Sequence, residues 1–176
     1  ALKFFFFFLV LQTERIDHLA QQSNVRKFIL LSSYFVYFDR VWPQKNLAQR
    51  HPYIFCRKEQ AKRAIQAGKD TMIVSVLEIP YVFGTMPKRA PIWKDLLVKM
   101  LMNRKTVWFP SGGSNMMTAE QVGKAIVGAI IAGKHKKRYL IGDHNFTWHE
   151  MLEIMLDELK LQKKIQTLPK IFLFFI

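Results

Sequence analysis

The chain's 176 residues suffice for one ordinary domain with a real core, or for part of a larger one. A composition that is 50% hydrophobic and 14% aromatic argues against a disordered polypeptide. The formal charge of +14 favours phosphates, nucleic acids and anionic lipid, but the Lys and Arg residues are scattered along most of the chain, which speaks against nucleic acid as the partner. The lone Cys56 excludes an internal disulfide, and no Cys/His spacing suggests structural zinc. A single thiol is compatible with a reducing cytoplasm, the location expected here.

In chain order, the first feature is the run Ala1 to Leu11 (ALKFFFFFLVL), which has its counterpart in IFLFFI after Lys170. Neither approaches the ~18–20 apolar residues of a membrane-spanning helix. Residues 1–10 are read as an abnormal Phe-rich end and 166–176 as a hydrophobic tail, flanking one body over 11–165. Within that body, Ile16, Leu19 and Ala20 fall at helical spacing between Thr13 and Ser23, with Asn24 as breaker. Lys27 to Ser33 (KFILLSS) reads as a buried parallel strand presenting small polar side chains at its carboxyl end. A loop passes through Trp42-Pro43. His51-Pro52 opens a helix that runs to Ala67, with Gly68 as a natural residue past its end. Met72 to Leu77 is a second strand, ending at Glu78-Ile79-Pro80. Later elements read as mostly helical: Ile92 to Met102, then a helix after the capping box Thr118–Gln121, a short strand Tyr139–Gly142, and a helix after the capping box Thr147–Glu150. Alternation of strand and helix makes the fold class α/β, with a right-handed parallel crossover between the first two strands.

The candidate chemistry lies in Ser33, Tyr53 and Arg57. Ser33 stands at a strand's carboxyl end, where parallel sheets place their active-site crevice. Tyr53 and Arg57, four apart on a helix, share one face. A phenol, with an unperturbed pKa of about 10, needs a neighbouring cation to act as a base near neutral pH. A serine hydroxyl beside it can hydrogen-bond the substrate oxygen that gains or loses the proton. Spacing alone is a weak signal, since Tyr and a basic residue four apart occur on many helix surfaces.

Several stretches in order resemble the extended short-chain dehydrogenase/reductase family, the NAD-dependent epimerases/dehydratases. Val25 to Tyr37 (VRKFILLSSYFVY) is similar to the family's strand and SSxxVYG turn, with Phe38 in place of glycine. His51-Pro52-Tyr53 and Glu59 to Lys62 resemble the catalytic-helix segment, and Leu77 to Gly84 the following strand and PxxVYG turn. Phe109 to Val122 and Tyr139 to Leu152 resemble the substrate-side segments. The likeness runs from about Val10 to Leu161. It implies an incomplete Rossmann-like doubly wound parallel sheet with a small, mostly helical substrate-side portion. It implies NAD or NADP as cofactor and a small hydroxyl- or carbonyl-bearing substrate, with nucleotide sugars among those it admits. Ser33 would be the catalytic serine and Tyr53 the base. The family's YxxxK lysine falls on Arg57, whose planar fork differs from a compact ammonium. Lys58 is turned about 100° away along the helix. Arg57, Pro80, Tyr81 and Val82 would face the cofactor. No GxxGxxG precedes these motifs, so the turn that brings backbone N–H groups to a pyrophosphate is missing from this sequence.

Asp143-His144 and His149-Glu150 have the side chains of metal ligands but flank a turn and a helix cap, so solvated or capping roles are expected, and no metal. Cys56 beside Arg57 is expected to pack in the helix interface. Two readings stand: a truncated NAD(P)-dependent oxidoreductase or epimerase-type domain, inactive alone, with its oligomeric state open; or a non-catalytic remnant, or interaction module, using its basic surface.

Overall fold

A computed structural model describes residues 2–68 and 71–168; residues 169–176 of the hydrophobic tail lie outside the described residues. The chain forms two compact units, residues 1–80 with 122–141, and residues 81–121 with 142–176.

Residues 2–22 are helical: α1 (Leu2–Phe5), a π-helical stretch Phe6–Leu11, and α2 (Gln12–Gln22). The Phe run is therefore the start of a helix, with Phe5 and Phe6 against a later helix while Phe4, Phe7 and Phe8 are exposed. Asn24 adopts φ 54°, a left-handed turn that asparagine tolerates, and releases the chain into β1 (Lys27–Ser33). Ser33 caps the next helix, α3 (Tyr34–Val41), by accepting the Phe35 N–H at 3.3 Å. A 3-10 turn, Pro43–Lys45, and α4 (Leu47–Arg50) lead to α5 (Pro52–Ala67), which has Pro52 in its first turn. β2 (Ile73–Ile79) follows.

Beyond Pro80 come β3 (Tyr81–Phe83), a π-helical turn Lys94–Val98 continuing as α6 (Lys99–Asn103), β4 (Thr106–Phe109) and β5 (Gly113–Thr118). Then come α7 (Ala119–Ala132), β6 (Arg138–Leu140), β7 (His144–Thr147), α8 (Trp148–Glu158) and β8 (Lys164–Thr167).

The first unit holds a parallel sheet in the order β1-β2-β6. The β1–β2 register runs from Lys27 opposite Ile73 to Ser33 opposite Ile79, so both carboxyl ends finish together. Leu30, Val74, Val76, Ala61, Ala64 and Met72 form the core under it. Each large apolar side chain buried there contributes roughly 1.5–3 kcal/mol. Ile73 N–H donates to Arg26 C=O at 2.9 Å, so alternation of the ladder turns the peptide groups of Lys27, Ile29, Leu31 and Ser33 to the opposite side. No strand pairs with that side among the described residues. The outer edge of β1 is therefore an unpaired edge of this sheet. The basic cluster Lys134 to Arg138 is a turn stitched onto β2: Val74 N–H donates to His135 Nδ1 at 3.1 Å and Lys136 N–H to Val74 C=O at 3.0 Å.

The second unit contains a sheet in the order β3-β5-β7 and a separate parallel pair, β4-β8. β5 runs parallel to β3 and antiparallel to β7, with Gly113 opposite Thr147. A Cβ on Gly113 would lie 2.7 Å from Thr147 Cα, which explains glycine there. Leu101, Val107 and Leu152 are fully enclosed, with Met116, Met151 and Leu156 around them.

Several expectations need adjustment. The helix α3 falls where no helix was read. After Pro80 the chain contains more strand than the mostly helical reading allowed, because β3, β4, β5, β7 and β8 are short segments without clear alternation. Gly68 follows α5 as expected but for a different reason: its φ of −71° suits any residue, whereas a Cβ would collide with the Val74 side chain and sit 2.7 Å from the Met72 carbonyl oxygen. Both capping boxes form. Thr118 and Gln121 exchange bonds of 3.2 and 2.7 Å, and Thr147 and Glu150 bonds of 3.1 and 2.7 Å. Among the described residues, no helix is long and apolar enough to cross a membrane.

Candidate active site

Tyr53 and Arg57 lie one turn apart on α5, and the structure joins them directly. Arg57 Nε donates to Tyr53 Oη at 3.2 Å, and the guanidinium carbon lies 5.4 Å from the ring centroid. The guanidinium therefore both touches the phenol oxygen and leans over its ring. Arg57 Nη1 donates to the Leu31 carbonyl at 3.2 Å and to Gln60 Oε1 at 3.0 Å. Leu31 O belongs to the outer edge of β1, so the arginine fork closes one of that strand's unpaired acceptors. This tie brings the base-bearing helix to the carboxyl half of β1, where Ser33 ends the strand.

Ser33 is buried, and its Oγ serves as the cap of α3. No hydrogen bond links it to Tyr53 or Arg57 among the described residues, so the hydroxyl is near the site in topology and occupied in structure. Phe5, from the Phe run, meets the Tyr53 ring edge-on at 5.5 Å, and His51 meets it at 6.4 Å. Phe6 lies under Arg63, 5.3 Å from ring centre to guanidinium carbon. The Phe-rich helix is thus packed on α5 through aromatic contacts, with one ring against the candidate base.

Lys58 points elsewhere, as its position on the helix requires. Its Nζ donates to Asp39 Oδ2 at 2.8 Å, while Asp39 Oδ1 accepts the Ala48 N–H at 2.9 Å. These bonds, that from Lys58 first, hold the Asp39 carboxyl below its usual range. Cys56 is fully buried, and burial pushes its thiol pKa up, which leaves it a packing residue.

Sequence reasoning missed a second charged group at the same strand ends. Glu78 of β2 is fully buried, and its two oxygens accept from Arg40 Nη1 and Nη2 at 2.8 and 2.7 Å. Arg138 Nη1 approaches Glu78 at 3.6 Å. The bidentate bond raises the Arg40 pKa, whereas burial lowers that of Arg138. The available signal was a lone acid in the apolar run Ile73–Ile79. Gln60 and Thr13 were also missed. Both are 6% exposed, and Gln60 Nε2 donates to Thr13 Oγ1 at 2.8 Å.

Pro80 ends the first unit's β2 segment. Tyr81 and Val82 belong to the second unit, where Tyr81 packs against Trp93 and Trp148 at 5.6 and 5.3 Å and Val82 C=O accepts Trp93 Nε1 at 2.8 Å. Asp143 is bonded to Gln121 and, at 2.6 Å, to His144, which with Gln121 as the larger cause lowers its pKa. Glu150 caps α8 and His149 pairs with Glu153 at 3.3 Å.

No protein-family model and no curated protein sequence matches this chain. Solved structures do. A dTDP-glucose 4,6-dehydratase from Bacillus anthracis in complex with NAD superposes with a TM-score of 0.68 and 19% identity, over 93% of this chain and 56% of that one. The dTDP-glucose 4,6-dehydratase DesIV from Streptomyces venezuelae, with NAD bound, gives 0.67 and 14%, over 91% and 52%. A UDP-glucuronic acid 4-epimerase from Bacillus cereus, with NAD, gives 0.63 and 13%, over 90% and 55%. The fold is that of the NAD-dependent epimerases and dehydratases. The chain spans about half the length of the structures it matches. In a doubly wound sheet the central strands have neighbours on both sides, whereas the outer edge of β1 pairs with no strand among the described residues.

Glycine placement shows what this stretch of an epimerase/dehydratase fold lacks. The Gly112-Gly113 pair, with Gly112 at φ 107°, is spent on the β5–β7 contact, where the backbone of Phe146 and Thr147 fills the space beside Gly113. No glycine-rich turn among the described residues precedes a helix with room for a pyrophosphate.

Proposed function

We propose that this chain is the second half of an NAD(P)-dependent epimerase/dehydratase domain acting on a hydroxyl or carbonyl group of a small substrate, nucleotide sugars being the leading class, and that it does not turn over alone. The observation that carries this is the Tyr53–Arg57 hydrogen bond, tied through Leu31 to the carboxyl end of β1. The Arg57 Nε–H lies within hydrogen-bond reach of the phenol oxygen, so the residue proposed to exchange a proton with a substrate hydroxyl is held in place by a cationic donor. Ser33, once its Oγ turns from the Phe35 N–H toward solvent, offers a donor to the same substrate oxygen.

The dinucleotide itself does not fit the residues present. Arg57 already spends Nε and Nη1 within the protein, and Gly112-Gly113 is closed by backbone. Pro80, Tyr81 and Val82 are proposed to line the nicotinamide side only when a glycine-rich segment holds the phosphates. The chemistry of this chain therefore ends at proton exchange by Tyr53. The competing reading, a non-catalytic remnant with a basic surface, keeps the same fold and gives Tyr53 no substrate.

Sequencing the coding DNA upstream of Ala1 separates the two readings. An in-frame glycine-rich segment supports the enzyme half, and the extended polypeptide then loses about 10²- to 10⁴-fold of its turnover on Tyr53→Phe. Stop codons there overturn the proposal.

A further inference from the structure

Arg57 stands where the resemblance expects a lysine, and the side chains around it are arranged for a planar fork. Nη1 is bound by two acceptors, the Leu31 carbonyl and Gln60 Oε1, at 3.2 and 3.0 Å. A guanidinium is rigid, so fixing Nη1 at two points sets the plane and direction of the whole group, including the Nε–H that reaches Tyr53 Oη. An ammonium at the same position has no plane to set.

Gln60 has to present its oxygen, not its NH₂, for this to work. Its Nε2 donates to Thr13 Oγ1 at 2.8 Å, which commits the amide nitrogen to α2 and leaves Oε1 for Arg57. Gln60 and Thr13 are both buried, so water does not compete for these bonds. Gln60 also lies three residues after Arg57 on α5, on the same face.

We infer that Gln60 and Thr13 are positioning residues for Arg57: Thr13 fixes the Gln60 amide, and Gln60 turns the guanidinium so that its Nε–H meets the Tyr53 oxygen. Arg57 and Gln60 then act as one unit, replacing what a single lysine does without help. This rests on the reading of Tyr53 as the proton-exchanging residue, but its test does not use turnover.

The full-length chain is labelled with nitrogen-15, and the Arg57 Nε–H resonance is assigned by its loss in Arg57→Lys. Gln60→Leu is expected to speed exchange of that proton with water by about tenfold, the equivalent of one net hydrogen bond. Gln60→Glu keeps the acceptor and is expected to keep slow exchange, a rescue that a mere packing role would not give. Exchange unchanged in Gln60→Leu, or equally fast in Gln60→Glu, overturns the inference. If Gln60→Leu does not fold, Thr13→Val is read by the same signal, with acceleration supporting and no change refuting. Tyr53→Phe separates the two claims. If the extended polypeptide keeps its turnover in that variant while the chain that retains Tyr53 shows Gln60-dependent protection, the catalytic reading falls and the positioning one stands.

Discussion

The two units are built on opposite kinds of interior. Every buried polar or charged side chain among the described residues lies in the first unit: Thr13, Asp17, Ser32, Ser33, Asp39, Gln60, Ser75 and Glu78. The second unit encloses Leu, Val and Met with a surround of Trp, Tyr and Phe, and its polar groups work at the surface as caps and turns. Buried polarity is expensive unless satisfied, and proteins keep it where geometry has to be exact for chemistry. The first unit therefore carries the candidate proton-exchange residues Ser33, Tyr53 and Arg57. Asp17 sharpens the contrast, because both its oxygens are buried without a partner in the first unit.

Variants can break this contrast, beginning with the largest expected effect. Arg40→Met strips Glu78 of its bidentate partner and leaves a buried carboxylate facing only the more distant Arg138. A loss of about 4 kcal/mol in urea unfolding is expected, somewhat moderated by the partial exposure of Arg40. A loss under about 1 kcal/mol would show that the charge cluster is not what holds the strand ends. In the second unit, Leu152→Ala should cost about 3 kcal/mol through cavity formation, with little dependence on pH or salt.

Asp17 supplies the pH test. Burial raises its pKa from 3.8 to about 6, opposed by His18 and aided by Glu14. The folded-state value lies above the unfolded one, so this contribution to stability is fully present below about pH 4 and is lost as pH rises through 6. Between pH 4 and pH 7 the decline should approach 2–3 kcal/mol, and Asp17→Asn should flatten it. An equally steep decline in the variant would assign it to other groups. The smallest effect is Thr147→Ala, which removes the α8 capping box and should cost about 1 kcal/mol, lowering the melting temperature without altering the pH profile.

The elements of the first unit were largely legible in the sequence, whereas the division into two units was not, residues 11–165 reading as one body. The helix opened by His51-Pro52, the strands on either side of it and the two capping boxes follow from local chemistry, and they appear within a residue or two. Tyr34 to Val41 was not legible as a helix because its aromatic and β-branched residues have modest helix propensity, and the Ser33 cap with tertiary packing decides it. The strand Gly113–Thr118 carries Gly, Ser and Asn without alternation, and its existence depends on partners on both sides. The candidates Ser33, Tyr53 and Arg57 rest on ordered motifs, since their spacing alone is common. Gln60 and Thr13 escaped because a polar residue on a helix looks solvent-facing until its partner is known. The sequence also left undetermined what the fork of Arg57 does, which the Leu31 carbonyl and Gln60 now define.

Isothermal titration of the full chain with NAD and with NADP tests the central claim most directly. The residues that hold Tyr53 and Arg57 are present while the phosphate-binding turn is not, so neither dinucleotide should bind with micromolar affinity. Saturable micromolar binding of either one would contradict that claim and would require a phosphate site built from residues other than a glycine-rich turn.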